Sequence, residues 1–135
     1  MEIEQITLEI EKLYRDLQKQ PGDVNLLYRI AELKRRLGFL KSDRAFANNA
    51  LVDINKALSI QPNDYFGYLE RGTTFFTLNR QEEAIADFTK SLEIKATSRG
   101  FYNRGIARWN NIQNKSIFSE KDHEEIESVL RDYQE

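Results

Sequence analysis

Few side chains in this sequence could carry out chemistry, and their spacing argues against it. The single histidine, His123, falls in the first turn of a helical stretch beside Asp122, Glu124 and Glu125. A general base there would need an orienting partner and a nucleophile within reach, and the pattern supplies neither. A surface or cap histidine is expected. Glu82-Glu83 and Glu124-Glu125 are adjacent carboxylates on helices, where side chains one apart point away from each other, so neither pair forms an acid–base dyad. The chain has no cysteine, which excludes disulfides, thiol nucleophiles and thiolate metal sites. Gly38, Gly72 and Gly105 are spaced as helix residues or caps, not as a phosphate loop. No catalytic residue, metal or cofactor is expected, and the chain does not read as an enzyme.

One basic run, Lys34-Arg35-Arg36 with Arg29 nearby, could meet phosphates. In a chain whose formal net charge is −2 it reads instead as the solvated face of a helix, and nucleic acid is not the expected partner. The amino terminus, Met1-Glu2-Ile3-Glu4, lacks the basic-then-apolar order of a secretory signal. No run approaches the roughly 20 apolar residues that span a bilayer, so no membrane partner is expected. These features together point to a cytoplasmic, soluble chain.

The elements that would position any site are helices. With 135 residues there is room for one domain, and two prolines with six glycines leave few breakers. Ile3, Ile6, Ile10, Leu13 and Leu17 lie three and four apart, on one stripe of a first helix that Pro21-Gly22 ends. Asp23 is placed to cap a second helix through Leu27, Ile30, Ala31, Leu33 and Leu37, closing near Gly38. A third carries Phe46, Ala50, Ile54, Ala57 and Leu58, stopping at Gln61-Pro62. Asn63-Asp64 caps a fourth with Tyr68, Gly72, Phe75 and Phe76, and after Asn79-Arg80 a fifth holds Ala84, Ile85, Phe88 and Leu92. Thr97-Ser98 caps a sixth with Phe101, Gly105, Ile106 and Trp109. Ser119 and Asp122 then form a capping box, stapled by Phe118, for a last helix with Ile126, Val129, Leu130 and Tyr133. Seven helices and no strand signal predict an all-α fold.

The helices recur. Tyr68-Leu-Glu-Arg-Gly72 returns as Phe101-Tyr-Asn-Arg-Gly105, and Ala57-Leu-Ser-Ile-Gln-Pro62 returns 34 residues later as Ser91-Leu-Glu-Ile-Lys-Ala96. With Tyr68, Gly72 and Phe75 in one helix and Ala84 and Phe88 in the next, residues 63–96 resemble the tetratricopeptide repeat, whose period is about 34. The resemblance extends over residues 22–135. It implies a right-handed superhelix of antiparallel helix pairs, an α-solenoid in which each pair is too small to bury its own apolar face. Residues 1–20 would be an N-terminal capping helix, 22–62 an extended first repeat, 63–96 the second, and 97–135 a third with a longer loop. Pro21 and Pro62 are 41 apart, seven more than the period. One extra turn in each helix of the first repeat would absorb the difference. In the third repeat, Val129 and Tyr133 stand at the alanine and phenylalanine positions, the bulkier Val129 making helix packing looser there. The chain would stop inside the second helix of that repeat.

In this family the first helix of each pair lines a concave groove that takes a peptide or helix of a partner protein. The resemblance assigns Asn25, Tyr28, Arg29, Glu32, Arg35 and Arg36 from the first repeat to that groove. It assigns Phe66, Leu69, Glu70, Thr73, Phe76 and Thr77 from the second, and Arg99, Tyr102, Asn103, Ile106, Trp109 and Asn110 from the third. Tyr28, Arg29, Arg36, Leu69, Glu70, Phe76, Arg99, Tyr102, Asn103 and Trp109 are the expected contact residues, a basic end leading into an aromatic floor. The carboxylate clamp of co-chaperone members is not expected, since Glu32 and Glu70 would repel a carboxylate ligand and Asn103 stands where an arginine is wanted. The resulting reading is a protein-binding module of adaptor, scaffold or chaperone-like kind. The alternative is self-assembly, with a homodimer formed through the terminal helices.

Overall fold

The computed structural model describes residues 2–114 and 120–134, and of residues 120–123 and 134 the backbone alone. Its elements are helices throughout: α1 (Ile3–Lys19), α2 (Val24–Lys41), α3 (Arg44–Ile60), α4 (Tyr65–Thr77), α5 (Gln81–Ile94), α6 (Ser98–Gln113) and α7 (Glu120–Gln134). The expected capping box of Ser119 and Asp122, its Phe118 staple and the side chain of His123 lie outside the described residues. No helix among the described residues is long and apolar enough to cross a membrane.

Local chemistry sets most of the boundaries. The Asp23 carboxylate accepts from the Asn25 and Leu26 amides, Asp43 from Ala45, Asp64 from Phe66, and the Thr97 hydroxyl from Gly100. Each satisfies amide donors that the first turn of a helix leaves without a partner. One boundary differs from the sequence reading. Helix α2 does not close at Gly38 but runs on to Lys41, and the left-handed residue that stops it is Ser42, with φ 52°. Gly38 serves the crossing of α2 and α3 instead, since a Cβ there would lie 2.8 Å from the Asp43 carbonyl oxygen. Asn79, with φ 60°, ends α4 in the same way. The Asp43 amide donates to the Gly38 carbonyl and the Arg80 amide to the Phe75 carbonyl, both at 2.9 Å.

These caps show where the first pair of helices is longer. The N-cap aspartates, Asp23 and Asp64, are 41 positions apart; the left-handed residues, Ser42 and Asn79, are 37 apart; the C-caps, Gln61 and Lys95, are 34 apart. Four residues are therefore taken up in α2 and three in α3, about one turn in each. A whole turn leaves the buried stripe on the same side of each helix.

Each helix packs on its neighbours in sequence. Among the described residues the backbones of α2 and α4, and of α4 and α6, approach closely, whereas no such next-but-one backbone approach joins α1, α3, α5 and α7. The even-numbered helices are thus the closer-set layer, which makes theirs the inner side of the stack. Ile6, Leu13 and Leu17 of α1 are buried in one core with Leu27, Ile30, Leu33, Ala50 and Ile54. A second core gathers Leu69, Ala84, Phe88 and Ala107. Val129 is fully buried as well, so the described part of α7 packs closely despite the bulkier residue.

Tyr28 ties the two cores together. Its hydroxyl donates to the Asp64 carboxylate at 2.8 Å, and its ring meets Phe66 edge-on at 5.2 Å. Burial, then the bond to Asp64, raises its pKa above the ordinary 10, and burial raises Tyr14 likewise. A phenol that ionises less readily when folded adds stability that is full below about pH 10 and is lost as pH rises beyond it. Urea midpoints should therefore fall above about pH 10. In Tyr28→Phe that fall should be shallower, against a loss of about 1 kcal/mol at neutral pH from the missing hydrogen bond. An unchanged alkaline slope would show that Tyr28 is not the group responsible.

Candidate partner-binding face

The inner layer is held in place by a recurring buried ion pair. The Arg71 guanidinium of α4 grips Asp87 of α5 through two bonds, of 2.8 and 2.9 Å. Arg104 of α6 grips Asp132 of α7 in the same two-pronged way, and Arg108 shares that carboxylate. Between α2 and α3, Lys34 takes the arginine's place, bonded to Asp53 at 2.7 Å. Asn49 and Tyr14 complete the surroundings of its ammonium, and the Tyr14 hydroxyl also donates to Asp53. Asp53 and Asp87 are 34 apart and Lys34 and Arg71 are 37 apart, matching the offsets of the caps around them. The bond to Asp87 raises the pKa of Arg71, while burial lowers that of Arg108. Charge pairs this buried are costly to break, so they fix the register of each helix pair.

A further charged cluster crosses between helix pairs. Glu70 of α4, 3% exposed, receives Arg35 of α2 at 2.7 Å and Arg99 of α6 at 3.2 Å. One carboxylate thus joins all three helices of the inner layer. Arg35 also donates to the Thr74 hydroxyl. The basic run read as a solvated face divides three ways: Lys34 to Asp53, Arg35 to Glu70, and Arg36 to Glu32 of its own helix at 3.5 Å. Only Arg36 is solvent-facing. Successive side chains on a helix point about 100° apart, so three cations in a row meet three different neighbours.

The expected contact residues fall into four groups. Tyr28, Leu69 and Glu70 are buried and belong to the packing. Arg29, Arg36 and Arg99 keep about half of their side chains in solvent, with Glu32 shared by the first two. Phe76 and Asn103 face one another across a small crevice with Thr73, Ile106 and Phe88. Trp109 and Tyr102 are 41% and 57% exposed. Tyr102 stands where α4 has Leu69, and Tyr133 of α7 meets its ring edge-on at 6.2 Å.

One exposed ring was missed. Phe39, 82% exposed, is three residues before the left-handed Ser42, as Phe76 is three before Asn79. Counting from the N-cap places Arg35 opposite Phe76; counting from the C-terminal turn places Phe39 there. The inserted turn of α2 lies between the two counts. The signal was present in the 41-residue proline spacing, but which side of the insertion a residue falls on depends on where α2 ends. Phe39 borders a crevice with Arg35, Arg44 and Thr77, which carries the aromatic row from α2 to α4.

Residues 67–98, from α4 through α5 to the start of α6, match the family model described as the tetratricopeptide repeat. The chain carries a tetratricopeptide repeat. No curated protein matches the chain closely. The matched repeat contains the Arg71–Asp87 grip and the close approach of Gly72 to Phe88. Both are therefore features of the most regular part of the stack.

Proposed function

We propose that the chain is a protein-interaction module, not an enzyme, and that it holds a segment of a partner protein on the inner face formed by α2, α4 and α6. The observation that carries this reading is the set of large rings left in solvent on that layer: Phe39, Trp109 and Tyr102, flanked by Arg29, Arg36 and Arg99. Exposed aromatic side chains beside arginines are the composition of binding hot spots, and a contiguous row of them marks an interaction surface. The tetratricopeptide repeat supports the same conclusion at the level of the family. We place this activity in the cytoplasm on the strength of the cysteine-free composition.

Capture from a cell extract tests the reading, with wild type run beside a Phe39→Ser, Trp109→Ser double variant shown by circular dichroism to be folded. A partner held by the wild type and reduced at least about tenfold in the variant is the expected result. Equal recovery by both would move the binding surface off the inner face. Self-assembly has its own support in the exposure of Leu130 and Tyr133 on α7, while of the α1 stripe Ile6, Leu13 and Leu17 are buried within the chain, Ile10 is half-buried and Ile3 is exposed. Recovery of a second copy alone, abolished by Leu130→Ser, would favour that alternative.

A further inference from the structure

We propose that the cleft between the outer helices α1 and α3 is a binding site for a small organic ammonium ion with an apolar body. It is a second site, separate from the partner-binding face and independent of it.

The shape of the cleft follows from the helix packing. Both α1 and α3 lie against α2, yet their backbones do not approach each other. The Tyr14 hydroxyl spans the gap, donating to the Asp53 carboxylate at 3.1 Å. Ahead of that bridge in both helices the gap opens into a cleft of about 380 Å³. Leu37 of α2 is buried at its floor, with Ile10 of α1 and Phe46 of α3 half-buried on either side. A concave apolar lining with a few placed polar groups is the usual form of a small-molecule site, and the volume falls within the range of such sites.

The polar groups decide the sign of the ligand. Lys34 reaches the cleft but offers it no free charge, since its three N–H donors go to Tyr14, Asn49 and Asp53, and Asp53 balances it. At the rim the carboxylates of Glu11 and Asp43 are exposed, and neither is paired with a cation among the described residues. Asp43 accepts only from the Ala45 amide of the helix that it caps. Phe46 adds a surface that favours positive charge. The ammonium of the chain's own Lys41 stands over its ring, 5.2 Å from the centroid, the arrangement in which an aromatic face attracts a cation. Lys41 is exposed, so water can take its ammonium back when another cation competes for the ring. A ligand ammonium would take that place beside Glu11 and Asp43 and lay its apolar body on Leu37 and Ile10. An anion would meet the two carboxylates, and a neutral molecule would leave both unpaired. The lining therefore selects a cation.

Three probes with one kind of body and different charge test this: phenethylammonium, 2-phenylethanol and 3-phenylpropionate, each titrated into the nitrogen-15-labelled full chain and followed by amide chemical shifts. Phenethylammonium should shift Glu11, Leu37 and Phe46 saturably and bind at least about fivefold more tightly than the alcohol, with the carboxylate weakest. A Glu11→Gln, Asp43→Asn double variant should weaken phenethylammonium at least about threefold; asparagine keeps the cap of α3. Lys41→Met should tighten it at least about twofold, because the resident cation is gone. Equal binding of the three probes, or preference for the carboxylate, would overturn the inference. So would the absence of saturable shifts at those three residues, which needs no variant to establish. Binding that the double variant leaves unchanged, or that Lys41→Met weakens, would overturn it as well. The partner-binding face is untouched by any of these results and is tested by the capture experiment alone.

Discussion

Replacing Asp53 with alanine is expected to destabilise the chain by about 3–5 kcal/mol, the cost of leaving a buried charge without its counter-ion. The Lys34 side chain is about 10% exposed, and among the described residues Asp53 is its only carboxylate partner; Asn49 and Tyr14 are neutral. Without Asp53 the ammonium is left buried without a counter-charge or draws water into the core between α2 and α3, and the Tyr14 hydroxyl loses its acceptor. Against a total stability of about 5–15 kcal/mol this is a large fraction. The urea midpoint should fall by at least about 1 M. A Lys34→Met, Asp53→Leu double variant should recover most of the loss, because a fully apolar pair carries no orphaned charge. If the double variant is as unstable as the single one, the loss comes from packing around α3 and not from the charge. A single-variant loss below about 1 kcal/mol would show that solvent reaches the pair.

That pair also marks the limit of what the sequence discloses. The helices are legible because apolar residues three and four apart need no tertiary information, and Asp23, Asp64 and Thr97 cap within a few residues of themselves. The repeat is legible because Tyr68–Gly72 and Phe101–Gly105 preserve residue type. Their arginines, Arg71 and Arg104, lie inside those same motifs, yet the motif does not say where each guanidinium goes. Asp87 is 16 residues from Arg71 and Asp132 is 28 from Arg104, and the pairing appears only when two helices are set in register. Lys34-Arg35-Arg36 misleads for a related reason. A run looks like a patch in one dimension, whereas a helix sends its members to α3, α4 and solvent.

The proposed face was partly legible. Counting positions from the N-caps finds Phe76 and Trp109 together, since both stand 12 residues after their caps, Asp64 and Thr97. The same count in α2 ends on Arg35, which is tied to Glu70, and passes over Phe39. Inserting a turn preserves the direction of a stripe but adds a second residue on nearly the same side, one turn further along. Which of the two reaches solvent is decided by what α4 offers. Glu70 and Thr74 draw Arg35 inward, and Thr77 leaves Phe39 uncovered. Leu69 and Tyr102 show the same dependence on context, equivalent in the motif yet 2% and 57% exposed.

Gly72→Ala and Gly105→Ala should have opposite effects, although the motif presents the two glycines as equivalents. A Cβ on Gly72 would lie 2.6 Å from Cε1 and 2.7 Å from Cδ1 of Phe88, a ring that is 1% exposed. The ring cannot retreat without displacing Leu69, Ala84 or Ala107 in the same core. Overpacking a filled core costs about 1–3 kcal/mol, more than the roughly 1 kcal/mol of helix propensity that alanine gains over glycine. At Gly105 the nearest atom to the added carbon is 3.5 Å away, on the Tyr133 ring, an ordinary contact. Propensity then decides, and the variant should be as stable as wild type or up to about 1 kcal/mol more so. Parallel thermal melts give the comparison, since both substitutions add the same methyl group to an inner-layer helix. Equal destabilisation of both would mean that α7 presses on α6 as closely as Phe88 presses on α4. Equal stabilisation would mean that the α4–α5 crossing has room that the 2.6 Å approach denies. The separation between the two melts therefore measures directly how much more tightly the matched repeat is packed than the one that follows it.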